Sequence, residues 1–535
     1  LDRQELYNNI NQKLADNDIE GAVDLAEVAV ALGDTHPNLL NLCAYRLEVQ
    51  GDFAGSLKLL DQALQANPDD VGILSAIGHN WLKQAAPRNA LRSFSAALAR
   101  APGFAPAHHG AGLALWALGD MKESRTAQAR AAALDPNYPD PRGALALLAL
   151  HERKPDEARA HANAALRLNP KEPAAFLTLA TLDNEAGNHA AVAARLQGEI
   201  HNPQIAPLQR APLCRLLGDA LDSLGAYDDA FAAYLEGNTI QRRMFAPQHG
   251  GDELESAIDL CQRISREFQD EVKAFPAPHS LPGPDVNHVF LLGFPRSGTT
   301  LLEQILASHS DVVALEEKPT LNDDIAAFFL EQDSLETLLN LDDSEIAVRV
   351  AAYWDRIASY GLKVEGKTFV DKQPSLTIYL PLIAKLFPKA KIIVARRDPR
   401  DVVLSCYRRG FNMNRTIYEF TDLERLATLY GSTMDLAELY FEKLPLKFHV
   451  HSHEEMIADF DGRIAALCES IGLDFDVKMR NFVETAKARD IRTPSAGQVV
   501  QGLNAGGVGY WRNYAAHLTP ATAILEPWIQ RYGYA

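Results

Sequence analysis

The sequence predicts a two-part fold, an all-helical repeat array followed by an α/β domain with a mainly parallel sheet, and three observations carry that reading. Prolines at 68, 102, 136 and 170 lie 34 residues apart, a period typical of helix-pair repeats. Beyond residue 285, short β-branched apolar runs alternate with longer segments of helical periodicity, the pattern of strand-helix-strand units. The first of those runs ends in a G-x-x-x-x-G loop, Gly293 to Gly298, from which a helical segment starts.

With 535 residues the chain is longer than a single hydrophobic core supports, so at least two domains are expected. Its 47% apolar and 23% charged residues are those of an ordinary globular protein. Seventy acidic against 52 basic residues give a net charge of −18, which argues against a nucleic-acid partner and makes any local basic cluster informative. The five cysteines are scattered, with no C-x-x-C pair, and suit reduced thiols in a cytoplasm better than a disulfide framework. No run of eighteen apolar residues occurs, and "LDRQELYNNI" lacks the basic and apolar regions of a signal peptide. A start at Leu1 leaves an excised leader open; a cytoplasmic protein without a membrane partner is the expectation.

Measured against the prolines, small residues recur at Ala22, Ser56, Ala90, Ser124 and Ala158, and again at Ala29, Ala63, Ala97, Ala131 and Ala165. Ala44, Gly78, Gly112 and Ala146 continue the register, Ala180, Gly187 and Val192 keep it, and Gly218, Gly225, Ala230 and Tyr234 resume it after four extra residues, giving seven units. This pattern resembles the tetratricopeptide repeat, in which small side chains let two antiparallel helices approach and stacked pairs form a superhelix. The closing proline is expected to start the next helix, where its missing N–H is no loss. The array reads either as a scaffold or as a groove for a peptide acceptor. "DELESAIDLCQRISREFQDEVKAF", Asp252 to Phe275, reads as one more amphipathic helix, and "PAPHSLPGPDVNH" as a linker. The expected domains are residues 1–245 (repeats), 246–285 (helix and Pro-rich linker) and 286–535 (α/β).

In the second half, "HVFLLGF", "DVVAL", "TFVD", "KIIVARRD" and "KFHVHSH" read as strands, with helices from Thr299, near Leu376 to Leu386, and from Pro399. Ligands of such sheets bind outside the carboxyl ends of the strands. There the backbone N–H groups of the P-loop-like turn, with the hydroxyls of Ser297, Thr299 and Thr300, make an anion site. A nucleotide triphosphatase would place lysine where this chain has Thr299. The cation is instead Arg296, inside the loop, which suits a less charged group without metal and can contact two oxygens in a plane. Asp371 could stand for a metal-holding aspartate, but without the loop lysine it is discounted. A second basic cluster, Arg396, Arg397 and Arg400, sits where a strand turns into a helix; Arg397 precedes Ser405 by eight residues and Arg409 follows it by four, one turn along the same face. Basic residues at a helix N-terminus oppose its dipole, so an external anion is expected there.

"FPRSGTT" and the R-x7-S-x3-R pattern of Arg397, Ser405 and Arg409 resemble the phosphate-binding elements of sulfotransferases that use 3′-phosphoadenosine 5′-phosphosulfate (PAPS), in particular the tyrosylprotein sulfotransferases. The resemblance covers about residues 286–535 and leaves the repeats out. It implies a 5′-phosphosulfate loop at Arg296, Ser297, Gly298, Thr299 and Thr300, and a 3′-phosphate site at Arg397, Ser405 and Arg409. It further implies PAPS as co-substrate, 3′,5′-ADP as product, and no metal. "VALEEKP" places Glu317 on the family's catalytic base, with Glu316 a structural neighbour, and "VDKQP" places Lys372 on the lysine that steadies the leaving oxygen. "TPSAGQVVQGLN" puts Ser495 beside the same oxygens and Asn504 over the nucleotide, and "GYWRNY" returns Arg512 to the 3′-phosphate. The plainer alternatives are a helix-cap acid for Glu317, a surface lysine for Lys372 and a turn residue for Ser495.

One departure stands out: His453 occupies the position of the family's adenine-side tyrosine. His449, His451 and His453 alternate, which would put them on one face of a strand, with buried or adenine-facing histidine the default over zinc. The resemblance implies sulfuryl transfer to an acceptor hydroxyl, with peptide tyrosine first and a carbohydrate or small phenol next. An inactive repeat adaptor and a P-loop kinase or NTPase are the rivals.

Overall fold

The computed structural model describes residues 3–16, 18–84, 86–201, 205, 207–251, 253–271, 283–330, 334–489, 499 and 502–535. They divide into two compact units, Leu1–Gly225 and Ala226–Ala535.

The first unit is a succession of paired helices, beginning Arg3–Ala15 with Ile19–Ala31 and Pro37–Gln50 with Phe53–Ala66, and continuing to Pro173–Glu185 with His189–Glu199. The recurrent small residues are where the helices touch: Ala22, Ser56, Ala90 and Ala158 are fully buried, as are Ala63, Ala97, Ala131 and Ala165. Gly78 is required for a similar reason, since a Cβ there would come within 2.7 Å of the Phe94 ring. The prolines act differently from the expectation. Helices end at Ala66, Arg100, Leu134 and Leu168, and Pro68, Pro102, Pro136 and Pro170 lie in the turns that follow, before the next helices begin at Val71, Ala105, Asp140 and Pro173. They stop one helix rather than start another.

The helix Tyr227–His249, which the 34-residue register counts with the repeats, packs in the second unit, where Asn238 Nδ2 donates to the Tyr407 carbonyl at 2.9 Å. Ala257–Glu271 forms the amphipathic helix expected between Asp252 and Phe275, and Arg263 Nη2 ties it to the Phe329 carbonyl at 2.8 Å. Residues 272–282, most of the expected linker, lie outside the described residues.

The second unit is built on a five-stranded sheet of order β2-β3-β1-β4-β5, comprising β1 (Asn287–Gly293), β2 (Val312–Glu316), β3 (Thr368–Lys372), β4 (Lys391–Arg396) and β5 (Lys447–Ser452). All four pairings are parallel. The three inner strands are buried almost throughout, as strands covered on both faces must be, and their β-branched and aromatic runs follow from that. One face packs Val289, Leu291 and Ile393 against Leu302, Ile305, Met456 and Leu467. The other gathers aromatic rings, with His288 stacked on Phe369, tilted against Trp354, edge-on to Phe387 and hydrogen-bonded to Tyr353 Oη at 3.0 Å. Burial pushes the His288 imidazole down to about 3, so it stays neutral. The segment Leu376 to Leu386 divides into a 3₁₀ turn, Pro374–Tyr379, and a short α-helix, Leu380–Leu386.

Parallel pairing sets the site. Register places Leu291 beside Lys372, Lys372 beside Glu316, and Gly293 beside Ala395, so the carboxyl ends of four strands open on one edge. Among the described residues no helix is long and apolar enough to cross a membrane.

Candidate active site

β1 ends at Gly293, whose φ of 147° and whose approach to the Ala395 carbonyl leave no room for a side chain: a Cβ would lie 2.7 Å from that oxygen. Thr377 fixes the same turn, its Oγ1 accepting from Gly293 N and donating to Gly293 O, both at 3.0 Å. Gly293→Ala is expected to destabilise the unit by about 1–3 kcal/mol, read as a lowered Tm. The loop then closes through Ser297 N to Phe294 O at 3.2 Å. Gly298, at φ 95°, is the N-cap of the helix Thr299–Ala307.

Three non-glycine residues among those described have positive φ: Arg153, Arg296 at 71° and Glu317 at 42°. The last two are the loop cation and the expected base. Left-handed backbone in such residues costs energy that the surroundings must hold in place, and it concentrates at functional positions. Arg296 Nε donates to Ser405 Oγ at 2.9 Å, which joins the loop to the helix Pro399–Arg408 after β4. Burial pulls the Arg296 guanidinium down to about 10, and the neighbouring positive charges of Arg409, Arg397 and Arg408 push the same way. Arg296 is 8% exposed, and a guanidinium so buried beside like charges is stabilised by an anion.

The three clustered arginines at and just after the end of β4 have separate duties. Arg396 pairs with Glu438 at 2.5 Å and lies 4.0 Å over the Tyr532 ring. Arg400 is held by Asp398 at 2.8 Å and stacks on Trp511 at 3.9 Å. Arg397 alone of the three lines a cavity, together with Arg296, Gly298, Thr300, His453 and Asn504. Its Nη1 donates to the Arg296 carbonyl at 3.4 Å and its Nη2 to the Gly507 carbonyl, while its buried Nε has no hydrogen-bond partner among the described residues. His453 is not on β5, which ends at Ser452; it begins the next helix, His453–Ala458, and turns toward the loop, 2.9 Å from where a Gly298 Cβ would be. Burial, with Arg397 and His451 adding to it, holds the His453 imidazole near 3, so a neutral ring whose Nδ1 has no partner among the described residues faces the cavity. Unpaired buried polar atoms at two points of one cavity fit a polar ligand with an anionic end.

Arg409 departs from the same-face geometry: the helix ends at Arg408, and Arg409 is its extended cap, although its charge still acts on Arg296. Asn504 is an N-cap, its Oδ1 accepting from Gly506 N at 2.7 Å. Arg512 is exposed, packs 5.1 Å over Trp511 and donates to Gly509 O at 3.4 Å, so it is not among the residues that line the cavity. Ser495 lies outside the described residues.

On the other side of the loop, a second cleft of about 640 Å³ shares Arg296, Gly298 and Thr300 and adds Glu317. Glu317 follows β2, its N–H donating to the Lys372 carbonyl at 2.8 Å and its Oε1 accepting from Lys372 Nζ at 2.7 Å. Lys372 ends β3 and is fully buried, within 3.5 Å of Glu303 and 3.7 Å of Glu316 as well. Asp371 points elsewhere, accepting from Thr320 Oγ1 and Tyr353 Oη, each at 2.9 Å. Sequence reading did not anticipate Glu303; its one signal was an acidic residue within the apolar run "TTLLEQILA".

Residues 288–477 match the sulfotransferase family model and residues 76–139 the tetratricopeptide repeat model. An uncharacterized protein of Aquifex aeolicus is 27% identical over 343 residues, 62% of this chain and 43% of that protein. Protein-tyrosine sulfotransferase 1 of Danio rerio is 24% identical over 268 residues, 47% of this chain and 73% of that protein. Among solved structures, the sulfotransferase domain of the Synechococcus PCC 7002 olefin synthase aligns with TM-score 0.33 and 23% identity, covering 45% of this chain and 91% of that domain. The chain thus spans less than half of the Aquifex relative, and it joins a repeat array to a sulfotransferase-like α/β unit.

Proposed function

We propose that the second unit transfers the sulfuryl group of PAPS to an acceptor hydroxyl. The observation that carries this reading is the meeting, at one sheet edge, of an arginine-bearing phosphate loop, Arg397 on a cavity beside it, and the Glu317–Lys372 pair in the cleft on its other side. In this reading the 5′-phosphosulfate takes the loop from Arg296 to Thr300, and the 3′-phosphate takes Arg397 and Ser405 with Arg409 near. His453 faces the adenine, and Ser495 and Asn504 complete the nucleotide side. The acceptor oxygen attacks sulfur in line as the bond from sulfur to the bridging phosphate oxygen breaks. Glu317 takes the acceptor proton, and Arg296, Lys372 and Ser495 steady the departing 3′,5′-ADP.

For the acceptor, peptide tyrosine is the reading closest to the relatives' names. The cleft's Tyr379, Phe411, Ile325 and Ile417 can hold an aromatic ring, and Asn322, Gln373 and Asn414 can take hydroxyls. Apart from Arg296 these groups bring no cation, so an uncharged acceptor, whether a tyrosine in a neutral peptide, a sugar or a phenol, is favoured over a strongly acidic one. The repeat array is proposed to hold a protein or peptide partner. Five buried free thiols suit a reducing cytoplasm.

Calorimetry tests the reading. Binding of 3′,5′-ADP without magnesium is expected; binding of Mg-ATP in its place would favour an NTPase, and binding of neither an inactive adaptor. Arg397→Ala is expected to weaken 3′,5′-ADP by about 10- to 100-fold, the range for a charge-assisted contact. An unchanged Kd would remove Arg397 from the 3′-phosphate.

A further inference from the structure

The helix that begins at the phosphate loop carries an acid with no place in the mechanism so far. Glu303 is fully buried, and neither of its carboxylate oxygens meets a well-aligned donor among the described residues. Two cations flank it: Lys372 Nζ at 3.5 Å and Arg489 Nη2 at 3.1 Å. A carboxylate out of water is costly unless compensated by charge or hydrogen bonds, so its retention here needs a reason beyond packing.

Lys372 supplies one. In the structure it is engaged by Glu317 at 2.7 Å, yet in the proposed transfer it must turn to the leaving oxygen while Glu317 accepts a proton. Once Glu317 is protonated, Glu303 at 3.5 Å is the nearest carboxylate left beside the ammonium, with Glu316 at 3.7 Å, and a buried lysine short of counter-charge gives up its proton. We propose that Glu303 is the positioning residue that keeps Lys372 an ammonium throughout the reaction, a fixed counter-charge behind it that the donor and acceptor never touch.

The inference rests on the sulfotransferase reading. The charged groups facing Lys372 are Glu303 from the loop helix, Glu316 and Glu317 from the end of β2, and Asp371 beside it on β3, with Arg489 on the far side of Glu303. Burial pulls the Lys372 ammonium down, but the charges of Glu303, Glu317 and Glu316 and the Glu317 hydrogen bond more than offset it and leave it above its ordinary value. Burial pushes the Glu303 carboxyl up, against the opposing pull of Lys372 and Arg489.

The test needs no acceptor. The 3′,5′-ADP affinity of the wild-type chain is measured from pH 7.5 to about pH 9.5, a window below the raised lysine value, and is expected to follow the same course in Glu303→Asp. Glu303→Gln lets Lys372 lose its proton within that window, so its affinity is expected to fall about tenfold more than wild type between the two ends, as a pKa moved down by about two units requires. Lys372→Met is expected to be weak and to lack this extra fall. A Glu303→Gln profile parallel to wild type overturns the assignment. Should Glu303→Gln not fold, the double variant with Lys372→Met is expected to fold, since charge and counter-charge leave together; a double variant that also fails to fold overturns it. A wild-type chain that does not bind 3′,5′-ADP brings down the sulfotransferase reading and this inference with it, whereas parallel profiles remove only Glu303.

Discussion

Glu317→Ala is expected to lower sulfuryl transfer by about 10²- to 10⁴-fold, the contribution of a positioned general base, while 3′,5′-ADP binds nearly as before. The structure separates the two quantities. Glu317 lines the second cleft and is absent from the lining of the cavity that holds Arg397 and His453. Its side chain is 42% exposed, so its loss creates no buried void, and its φ of 42° gives alanine no new strain that glutamate does not already bear. Initial rates with labelled PAPS and an acceptor that the wild-type chain sulfates, paired with calorimetry, read both. Equal turnover would remove Glu317 as base; a large loss of nucleotide affinity would place it on the donor side.

Lys372→Met is expected to have a broader effect. The lysine is fully buried with Glu303 at 3.5 Å, Glu316 at 3.7 Å and Glu317 at 2.7 Å, and taking one member from a buried ion group costs about 3–5 kcal/mol. A lower Tm is therefore expected. Transfer is expected to fall by about 10²- to 10³-fold, as when a donor to developing negative charge is removed. The carboxylates left behind would repel an anionic nucleotide, so Kd is expected to rise with kcat falling, in contrast to Glu317→Ala. A variant of unchanged stability would contradict the charge cluster, and one of unchanged transfer would contradict the role at the leaving oxygen.

How much of this was legible beforehand follows from the range of the interactions. The strands and the loop could be read because β-branched runs, Gly293 and Gly298 are local signals, and the small residues of the repeats could be read because each marks a helix contact at a fixed period. What the prolines do was misplaced, since spacing alone does not say whether a proline ends one helix or begins the next; only the turn at Asn67 to Asp70 and its equivalents decide it. The helix Tyr227–His249 kept the repeat's period yet packs in the other unit, a tertiary choice to which periodicity is blind. Within the site, Arg396, Arg397 and Arg400 look equivalent in sequence. Partners distant along the chain, Glu438 and Tyr532 for one and Trp511 and Tyr534 for another, leave Arg397 as the one of the three on the cavity. Counting one turn on from Ser405 puts Arg409 on the same face, but the helix stops one residue short of it. Glu303 was passed over because an acid in an amphipathic helix ordinarily faces water, and nothing local announced that Lys372 and Arg489 would surround it.

The central claim is that two separate anion sites grip the two ends of one nucleotide. A crystal structure of the chain with 3′,5′-ADP tests it most directly. The account predicts the 5′-phosphate on the backbone from Arg296 to Thr300 and the 3′-phosphate within hydrogen-bond reach of Arg397 and Ser405. A nucleotide bound elsewhere, or an Arg397 still turned to the Gly507 carbonyl with no phosphate beside it, would contradict it.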